Sequence, residues 1–365
     1  MKKTICWITS GYLLQVDLPV IKELTKEFNI QWIVFAKQNN SQCKTAMEYA
    51  KDYNIELKII SNKWHRYSPM TYLEYNKIIK HLSNLNADIY YFNIITFPYL
   101  LWSIKRHIPS NKVVMAMHHG YAPTLMDFRP LYILFLKYLC KQPYIFQYFS
   151  ETQASYFTGN INNRYIINLS LNNYGKSSCQ PPKDYVSFLF FGNIIGTKNV
   201  EGIIKAAQSI KGKTSQNFKI KICGYCRNWN YYQSLIKYPE LFELQIKRLP
   251  DDIIPNLFSS SHYLLLPYTF VSQSGPLRIA YGYNLPVIVS DLEGFKESVI
   301  EGITGRFCHV NDIESLAKIM QEVIENHPNA YNELKKQQAA YIESHMSQKV
   351  IISKYINMFN QIGLN

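Results

Sequence analysis

Three loops in the second half of the sequence carry residue types that suit a phosphorylated ligand. The first is Phe190-Phe191-Gly192-Asn193-Ile194-Ile195-Gly196-Thr197-Lys198-Asn199. It runs an apolar strand into a glycine-bearing turn and sets a lysine just before a helix, where the ammonium can neutralise phosphate. As a plain surface charge that lysine would be poorly placed, because a cation gains nothing from the positive end of a helix dipole. The second is Pro267-Tyr268-Thr269-Phe270-Val271-Ser272-Gln273-Ser274-Gly275-Pro276, leading into a helix of small and apolar residues. Ser274 and Gly275 at a helix start leave backbone N–H groups for a diphosphate. Pro276 fits the first turn, where its missing N–H costs nothing. An ordinary Ser-capped helix reads the same way. The third is Ser290-Asp291-Leu292-Glu293-Gly294-Phe295-Lys296-Glu297, followed by Gly302-Ile303-Thr304-Gly305-Arg306. Glu293 and Glu297 can hold hydroxyls of a sugar or ribose, although a lone carboxylate is more often a solvated charge.

The elements that must position these loops alternate along the chain. Apolar runs at Thr4–Thr9, Ile30–Phe35, Ile55–Ile60, Ile89–Phe92, Val113–Met117, Tyr144–Tyr148 and Tyr165–Ile167 predict strands. Helical patterns lie between them, among them Asp17–Phe28, Pro69–Leu82, Pro98–Arg106 and Leu131–Cys140. The polar stretch Ser170–Lys183, with Gly175 and the pair Pro181-Pro182, breaks the rhythm and predicts a linker. Alternation then restarts with strands at Val186–Phe191, Phe218–Cys223, Phe242–Lys247, Tyr263–Leu266 and Val287–Ser290. Helices are expected at Val200–Ser209, Ile253–Phe258 and Pro276–Tyr283, and from Asp312 to the end, with Ser347–Phe359 last. This is α/β, with parallel sheets in two Rossmann-like domains: 1–170, a linker 171–184, 185–345, and a closing helix 346–365. Such a pair places a ligand cleft at the carboxyl ends of the strands.

Bulk properties narrow the partners. A chain of 365 residues suits two cores, and 47% hydrophobic against 18% charged residues rules out global disorder. The formal charge of +13 admits nucleic acid, an anionic membrane surface or an anionic small substrate. Lys and Arg are scattered, with neither zinc-finger spacing nor an RNA-binding aromatic box, which disfavours nucleic acid. Seven widely spaced cysteines without a secretory signal predict reduced cytosolic thiols, and Cys223-Gly-Tyr-Cys226 closes a strand, which favours a buried strand cysteine over a redox motif. The apolar run Thr4–Thr9 is too short for a signal peptide. The uncharged stretch Ile89–Ile104, interrupted by Asn93, Thr96 and Pro98, falls short of a membrane span. The expected location is cytoplasmic, at most on the inner face of the cell membrane.

Together the three loops resemble the C-terminal domain of retaining glycosyltransferase family 4, of the GT-B fold, in its Ser-Gln-Ser-Gly branch. FFGNIIGTKNVEGIIKAAQ is similar to that family's F-G-x-(I/L)-x-x-x-K-(G/N) segment. LPYTFVSQSGPLRIAYGYNLPVIVSDLEGFKESVIEGITGRF is similar to its donor-binding segment. The likeness runs from about Phe188 to Ile324. In the first half it is limited to an opening strand with Gly11 and to Val113-Val114-Met115-Ala116-Met117-His118-His119-Gly120. The resemblance implies two Rossmann-like domains facing each other across a cleft, with the C-terminal helix packing back on the first. It also implies a phosphate-binding lysine at Lys198, a diphosphate-binding helix start at Ser274 and Gly275, and the "G-x-x-E" glutamate at Glu297. The histidine from the first domain falls on His118, with His119 as the alternate register. Gly192 and Asn193 fall in the donor loop, Asn193 where many members have an arginine. Val271 and Ile279 stand where many members carry two glutamates, which leaves sugar and ribose to Gln273, Arg278 or Glu297.

The resemblance implies transfer of a sugar from a nucleoside diphosphate to an acceptor hydroxyl with retention. Lys198 and the helix start would stabilise the leaving diphosphate, and His118 would position the sugar or relay a proton; a core histidine is the alternative. With no Asp-x-Asp in the chain, neither metal nor other cofactor is expected. A non-hydrolysing sugar-nucleotide 2-epimerase and a non-catalytic glycosyltransferase-like subunit share the architecture. Apolar stretches flanked by Lys105, Arg106, Arg129, Lys137 and Lys141, at Pro98–Arg106 and Asp127–Lys141, suggest peripheral contact with anionic membrane; two ordinary core helices are the alternative. A lipid-linked saccharide in capsule or surface-polysaccharide synthesis would then be the acceptor.

Overall fold

In the computed structural model the described residues are 2–36, 41–61, 63–64, 68–94, 98–121, 129–271 and 273–362. Thr96, Asp127 and Ser272, named above, lie outside them. The chain divides into two units, Met1–Ser170 with Gln348–Asn365, and Leu171–Ser347.

The first unit runs β1 (Thr4–Ser10), α1 (Leu14–Leu24), β2 (Asn29–Phe35), α2 (Ser41–Asp52), β3 (Glu56–Ile60), α3 (Pro69–Ser83), β4 (Ile89–Asn93) and α4 (Pro98–His107). It continues with β5 (Val113–Met117), α5 (Arg129–Cys140), β6 (Ile145–Tyr148), α6 (Glu151–Ala154) and β7 (Arg164–Ile166). Among the described residues the sheet has seven parallel strands in the order β3-β2-β1-β4-β5-β6-β7. Order reverses between β1 and β4, which puts the natural ligand position of this half beyond the carboxyl ends of those two strands.

The strands are apolar on both faces because both are covered. On one face α1 and α2 pack Leu14, Ile21, Leu24, Ala46 and Ala50 against Trp7, Trp32 and Tyr91. On the other, α3, α4 and α5 pack Tyr75, Ile79, Leu101, Ile104, Leu136 and Leu139 against Ile8, Phe92, Met115 and Phe146. Helix α1 starts three residues earlier than its apolar pattern suggests, so Asp17 sits inside the helix and not at its cap. It then falls on the buried stripe Leu14, Asp17, Ile21, Leu24.

The second unit runs β8 (Val186–Phe191), α7 (Val200–Ser209), β9 (Phe218–Cys223), α8 (Trp229–Ser234), β10 (Phe242–Gln245), α9 (Ile254–Ser259) and β11 (Tyr263–Leu266). Then come α10 (Gly275–Gly282), β12 (Val287–Ser290), α11 (Glu293–Lys296), β13 (Gly305–Cys308), α12 (Ile313–Glu325) and α13 (Asn329–His345). Its described strands form a six-stranded parallel sheet in the order β10-β9-β8-β11-β12-β13, reversing between β8 and β11. Strand β13 has no counterpart in the sequence reading, which treats Gly302–Arg306 as loop. It is a four-residue edge strand with a single glycine and a single arginine at its start, too short to show alternation. Gly305 is required there, since a Cβ would lie 2.4 Å from the Val287 carbonyl oxygen.

Residues 171–184 hold no helix or strand and lie on the second unit. The Tyr174 N–H donates to the Tyr283 hydroxyl at 3.0 Å, and the Ser177 hydroxyl to Asn256 Oδ1 at 2.7 Å. The last helix, α14 (Gln348–Gln361), returns to the first unit and inserts Tyr355, Met358 and Phe359 into the α1 face of its core. Phe359 meets Trp7, Phe28 and Tyr91 edge-on at 5.6–6.2 Å. All seven cysteines are free thiols.

Candidate functional site

In the second unit the two loops that flank the β8/β11 reversal are built into one structure. Strand β8 ends at Phe191, and Gly192 follows with φ +131°, a conformation that favours glycine. Its N–H donates to the Cys223 carbonyl at 3.0 Å, and Gly224 (φ +153°) packs directly against it: a Cβ on Gly224 would stand 1.8 Å from the Gly192 oxygen. The chain then makes a short 3₁₀ turn over Gly196–Lys198 and enters α7 through Asn199. Asn199 is left-handed (φ 52°, ψ 44°) and its side chain accepts from the Gly202 N–H, so the asparagine both makes the corner and caps the helix.

That corner leaves Lys198 half-buried, with its ammonium 3.6 Å from the centre of the Tyr268 ring. Tyr268 is fully buried. Burial lowers the Lys198 pKa to about 8, and no carboxylate among the described residues offsets it. Contact with the ring face returns on the order of 1 kcal/mol of the solvation lost. The second loop is tied to the first through its backbone, the Thr269 N–H donating to the Thr197 carbonyl at 3.0 Å. Ser290 Oγ donates to the Tyr268 carbonyl at 2.6 Å and fixes the same segment from β12.

Past this segment Ser274 caps α10: its hydroxyl accepts from the Leu277 N–H at 3.3 Å. Pro276 brings no donor, so Gly275 is the exposed N–H of the first turn. A Cβ on Gly275 would meet no atom of the described residues within 4 Å beyond its chain neighbours and its own helix backbone, and Pro276 lies 3.8 Å from a Cβ built on Gly192. The lysine loop and the helix start are therefore neighbours. Gln273 stands beside them with its Nε2 buried and lacking an acceptor among the described residues.

The remaining residues singled out in this half fall elsewhere. Asn193 is solvent-exposed. Arg278 is buried on the inner side of α10, donating to Ser298 Oγ at 3.2 Å and lying 3.7 Å from the Met346 sulfur; burial lowers its pKa. Glu297 follows α11, half-buried, with its charge acting on Arg278. Val271 is partly buried and Ile279 buried, both in the core of this unit.

In the first unit His118 follows β5 directly, at the sheet's carboxyl edge. Its ring stacks on Phe149 (centroids 4.4 Å, 27°) and its Nε2 lies 2.7 Å from Asn93 Oδ1. Asn93, at the end of β4, donates from Nδ2 to Asp17 Oδ1 at 2.6 Å. Asp17 is fully buried, and its other oxygen accepts from the Thr9 hydroxyl. Thr9 in turn accepts from Trp32 Nε1 at 3.3 Å and pairs with Asn93 across β1 and β4. This chain sits at the β1/β4 reversal. Burial pushes the Asp17 carboxyl up to about 7 against the lowering effect of the Thr9, Trp7 and Asn93 side chains. His119 lines a small pocket with Tyr132, Phe135 and Leu139 below α5, and burial lowers its pKa.

Sequence reasoning misses Tyr268 as the platform for Lys198, and Asp17 and Asn93 altogether. A signal for Asp17 exists, since a carboxylate on the apolar stripe of a helix must be satisfied by specific donors.

Both halves have the Rossmann-like parallel architecture of the GT-B fold. Residues 176–341 match the family model described as "Glycosyl transferases group 1". Among solved structures, a glycosyltransferase from Rickettsia africae superposes with a TM-score of 0.79 at 15% identity, covering 100% of this chain and 99% of that one. Anabaena Alr3699/HepE, solved in complex with UDP and glucose, gives 0.75 at 14% identity, covering 98% and 100%. The sucrose-phosphate synthase of Thermosynechococcus elongatus gives 0.75 at 12%, covering 99% of each chain. No curated protein matches the sequence.

Proposed function

We propose that the protein is a glycosyltransferase that moves a sugar from a nucleoside-diphosphate donor to an acceptor hydroxyl with retention, using no metal. The observation that carries the reading is the pairing of a half-buried ammonium, stacked on a tyrosine ring, with an open helix start, held together by the Thr269–Thr197 hydrogen bond. A cation and a helix N-terminus side by side form a receptor for a diphosphate. When the sugar leaves, negative charge grows on the β-phosphate, and groups already in place need no reorganisation to stabilise it. We assign that work to Lys198 and the Gly275 N–H, with Ser274 holding the helix start and Gly192 letting the loop approach. We assign Gln273, whose buried Nε2 lacks an acceptor among the described residues, to hydrogen-bond the donor, and Glu297 to receive sugar hydroxyls. Arg278, bonded to Ser298, adds a positive charge on the same side as Glu297. His118 is the first unit's contribution, acting on the sugar or the acceptor proton.

The match of residues 176–341 to the group 1 glycosyl transferases supports this reading, as do the UDP and glucose found in HepE. The experiment is a melting-temperature panel of UDP, GDP and their sugar nucleotides, followed by turnover with and without acceptor. A raised Tm with one nucleotide, and donor consumption only when acceptor is present, is the expected result. Conversion of the sugar nucleotide alone would make the protein an epimerase, and no binding of any nucleotide would make it a non-catalytic subunit.

The acceptor side has one structural pointer. Helices α3, α4 and α5 cover one sheet face and leave Leu73, Trp102, Leu131 and Leu134 exposed, the last two at 67% and 64%. Exposed Lys77, Lys105, Arg106, Lys137 and Lys141 border them. Among the described residues no helix is long and apolar enough to cross a membrane. An apolar stripe within a cationic border suits insertion into an anionic interface, and a lipid-linked saccharide of surface-polysaccharide synthesis is the acceptor that fits, with work at the inner face of the membrane. Sedimentation with phosphatidylglycerol vesicles at low salt, lost in 1 M NaCl and weakened at least about tenfold by Leu131→Glu with Leu134→Glu, is expected. Failure to sediment at low salt would remove the membrane from the proposal.

A further inference from the structure

The hydrogen bonds that end on Asp17 have a direction that can be worked out from donor and acceptor chemistry. Trp32 Nε1–H can only donate, so Thr9 accepts from it and must spend its single proton on Asp17 Oδ2. An ionised Asp17 can only accept, so Asn93 turns its NH₂ toward Oδ1. Asn93 therefore presents its carbonyl oxygen to His118, and the ring nitrogen facing it, Nε2, must carry the hydrogen. Phe149, stacked at 4.4 Å, fixes the plane of the ring that makes this bond.

We propose that Asp17 and Asn93 are positioning residues that hold His118 as its Nε2–H tautomer, so that Nδ1 carries the lone pair and is the atom able to take a proton. Three strand ends converge to do this, β1 with Thr9, β4 with Asn93 and β5 with His118, and Asp17 reaches them from α1. A histidine kept only for packing needs no such chain, and a buried carboxylate without a cation in contact is costly to maintain. When His118 accepts a proton at Nδ1, the imidazolium is joined through one amide to the Asp17 charge, which then offsets it. The proton comes from the acceptor hydroxyl as its oxygen bonds the anomeric carbon and the nucleoside diphosphate leaves, and no bond to His118 other than N–H forms or breaks. The inference deepens the reading of His118 as a substrate-facing group and rests on it, but its spectroscopic test does not.

The network makes an inverted prediction for Asp17→Asn. Trp32 fills one lone pair of Thr9, and the Thr9 proton keeps its acceptor at this position only with the new carbonyl oxygen facing Thr9 and the new NH₂ facing Asn93. Asn93 must then accept with its oxygen and turn its own NH₂ to His118, which forces Nε2 to accept and moves the hydrogen to Nδ1. The measurement is long-range ¹H–¹⁵N correlation on the full chain labelled in its nine histidines, with His118→Gln identifying the signal. The pH is held near 9, above the value of about 7 that burial gives Asp17. Wild type is expected to show the Nε2–H pattern and Asp17→Asn the Nδ1–H pattern. Wild type as Nδ1–H, or Asp17→Asn still as Nε2–H, would overturn the proposal. Should Asp17→Asn not fold, Asn93→Ala is expected to lose the single tautomer, and an unchanged Nε2–H signal would overturn it equally. In turnover, Asp17→Asn is expected to lower kcat about 10²-fold with donor KM within about threefold. An unchanged kcat in a variant with the inverted tautomer would refute the positioning role. If wild type transfers no sugar, the glycosyltransferase reading fails while the tautomer result still stands or falls alone.

Discussion

Lys198→Met should lower kcat/KM for the sugar nucleotide by about 10²–10³-fold while leaving the melting temperature unchanged or a few degrees higher. The two halves of that expectation come from the same fact. Burial holds the Lys198 pKa near 8, below its ordinary 10.5, with no carboxylate among the described residues to compensate. Between pH 8 and 10.5 the unfolded chain binds a proton that the folded chain does not, so stability rises with pH across that window. At pH 7 the folded protein carries an ammonium it would rather not hold, at a cost on the order of 1–3 kcal/mol once partial solvent exposure is allowed for. Methionine fills the space over Tyr268, keeps contact with the ring and removes that cost. A lysine kept for structure would give the opposite sign, a loss of stability on replacement. Donor binding should show the matching pH dependence. An ammonium is present below about pH 8 and is lost above it, so the Kd for the sugar nucleotide should rise above pH 8, by up to about tenfold per unit. In Lys198→Met the Kd should be flat across the same range. Calorimetric titration from pH 7 to 10 measures both, and a flat wild-type profile would remove Lys198 from the diphosphate.

Much of this was legible in the sequence, and the division follows physical lines. Parallel strands buried on both faces leave mostly apolar runs, so β1, β8 and β11 stand out without any partner being known. The polar stretch at 171–184 stands out for the opposite reason. The phosphate end of the site is also readable, because a helix start and a nearby loop cation are local features encoded by Ser274, Gly275 and Lys198. What cannot be read is any relation made by tertiary contact. Tyr268 lies seventy residues from Lys198, and nothing in either segment announces that an ammonium will rest on that ring. Asp17, Asn93 and His118 come from three separate segments and meet only because β1, β4 and β5 are adjacent in the sheet. Arg278 shows the converse: it is a charged residue two positions into the helix after Pro276, plausible as a ligand contact, yet the pitch of α10 turns it inward to Ser298. Short elements escape too. Strand β13 is fixed by pairing with β12 and by the tight approach of Gly305 to Val287, neither of which leaves a periodic trace.

The second large effect is expected from Gly275→Asp, and its value is that stability and function should move in opposite directions. A Cβ at Gly275 would meet no atom of the described residues within 4 Å beyond its chain neighbours and its own helix backbone, and its backbone is helical, so these residues do not ask for glycine. An aspartate in the first turn gains from the positive end of the helix dipole and from leaving behind glycine's backbone entropy, together about 0.5–1 kcal/mol of stabilisation. If glycine is there for a diphosphate, the open space is where phosphate oxygens lie against the N–H groups. The aspartate would then fill that space with a like charge. One unit charge about 5 Å from another, at the effective dielectric near a protein surface, costs about 3 kcal/mol, more than a hundredfold in affinity. Nucleotide binding should therefore fall below detection at millimolar ligand while the melting temperature of the free protein rises slightly. Gly275→Ala tests the steric part alone and should cost the diphosphate less than the aspartate does. Should Gly275→Asp bind the nucleotide as well as wild type, the start of α10 is an ordinary capped helix, and Lys198 must find its anion elsewhere.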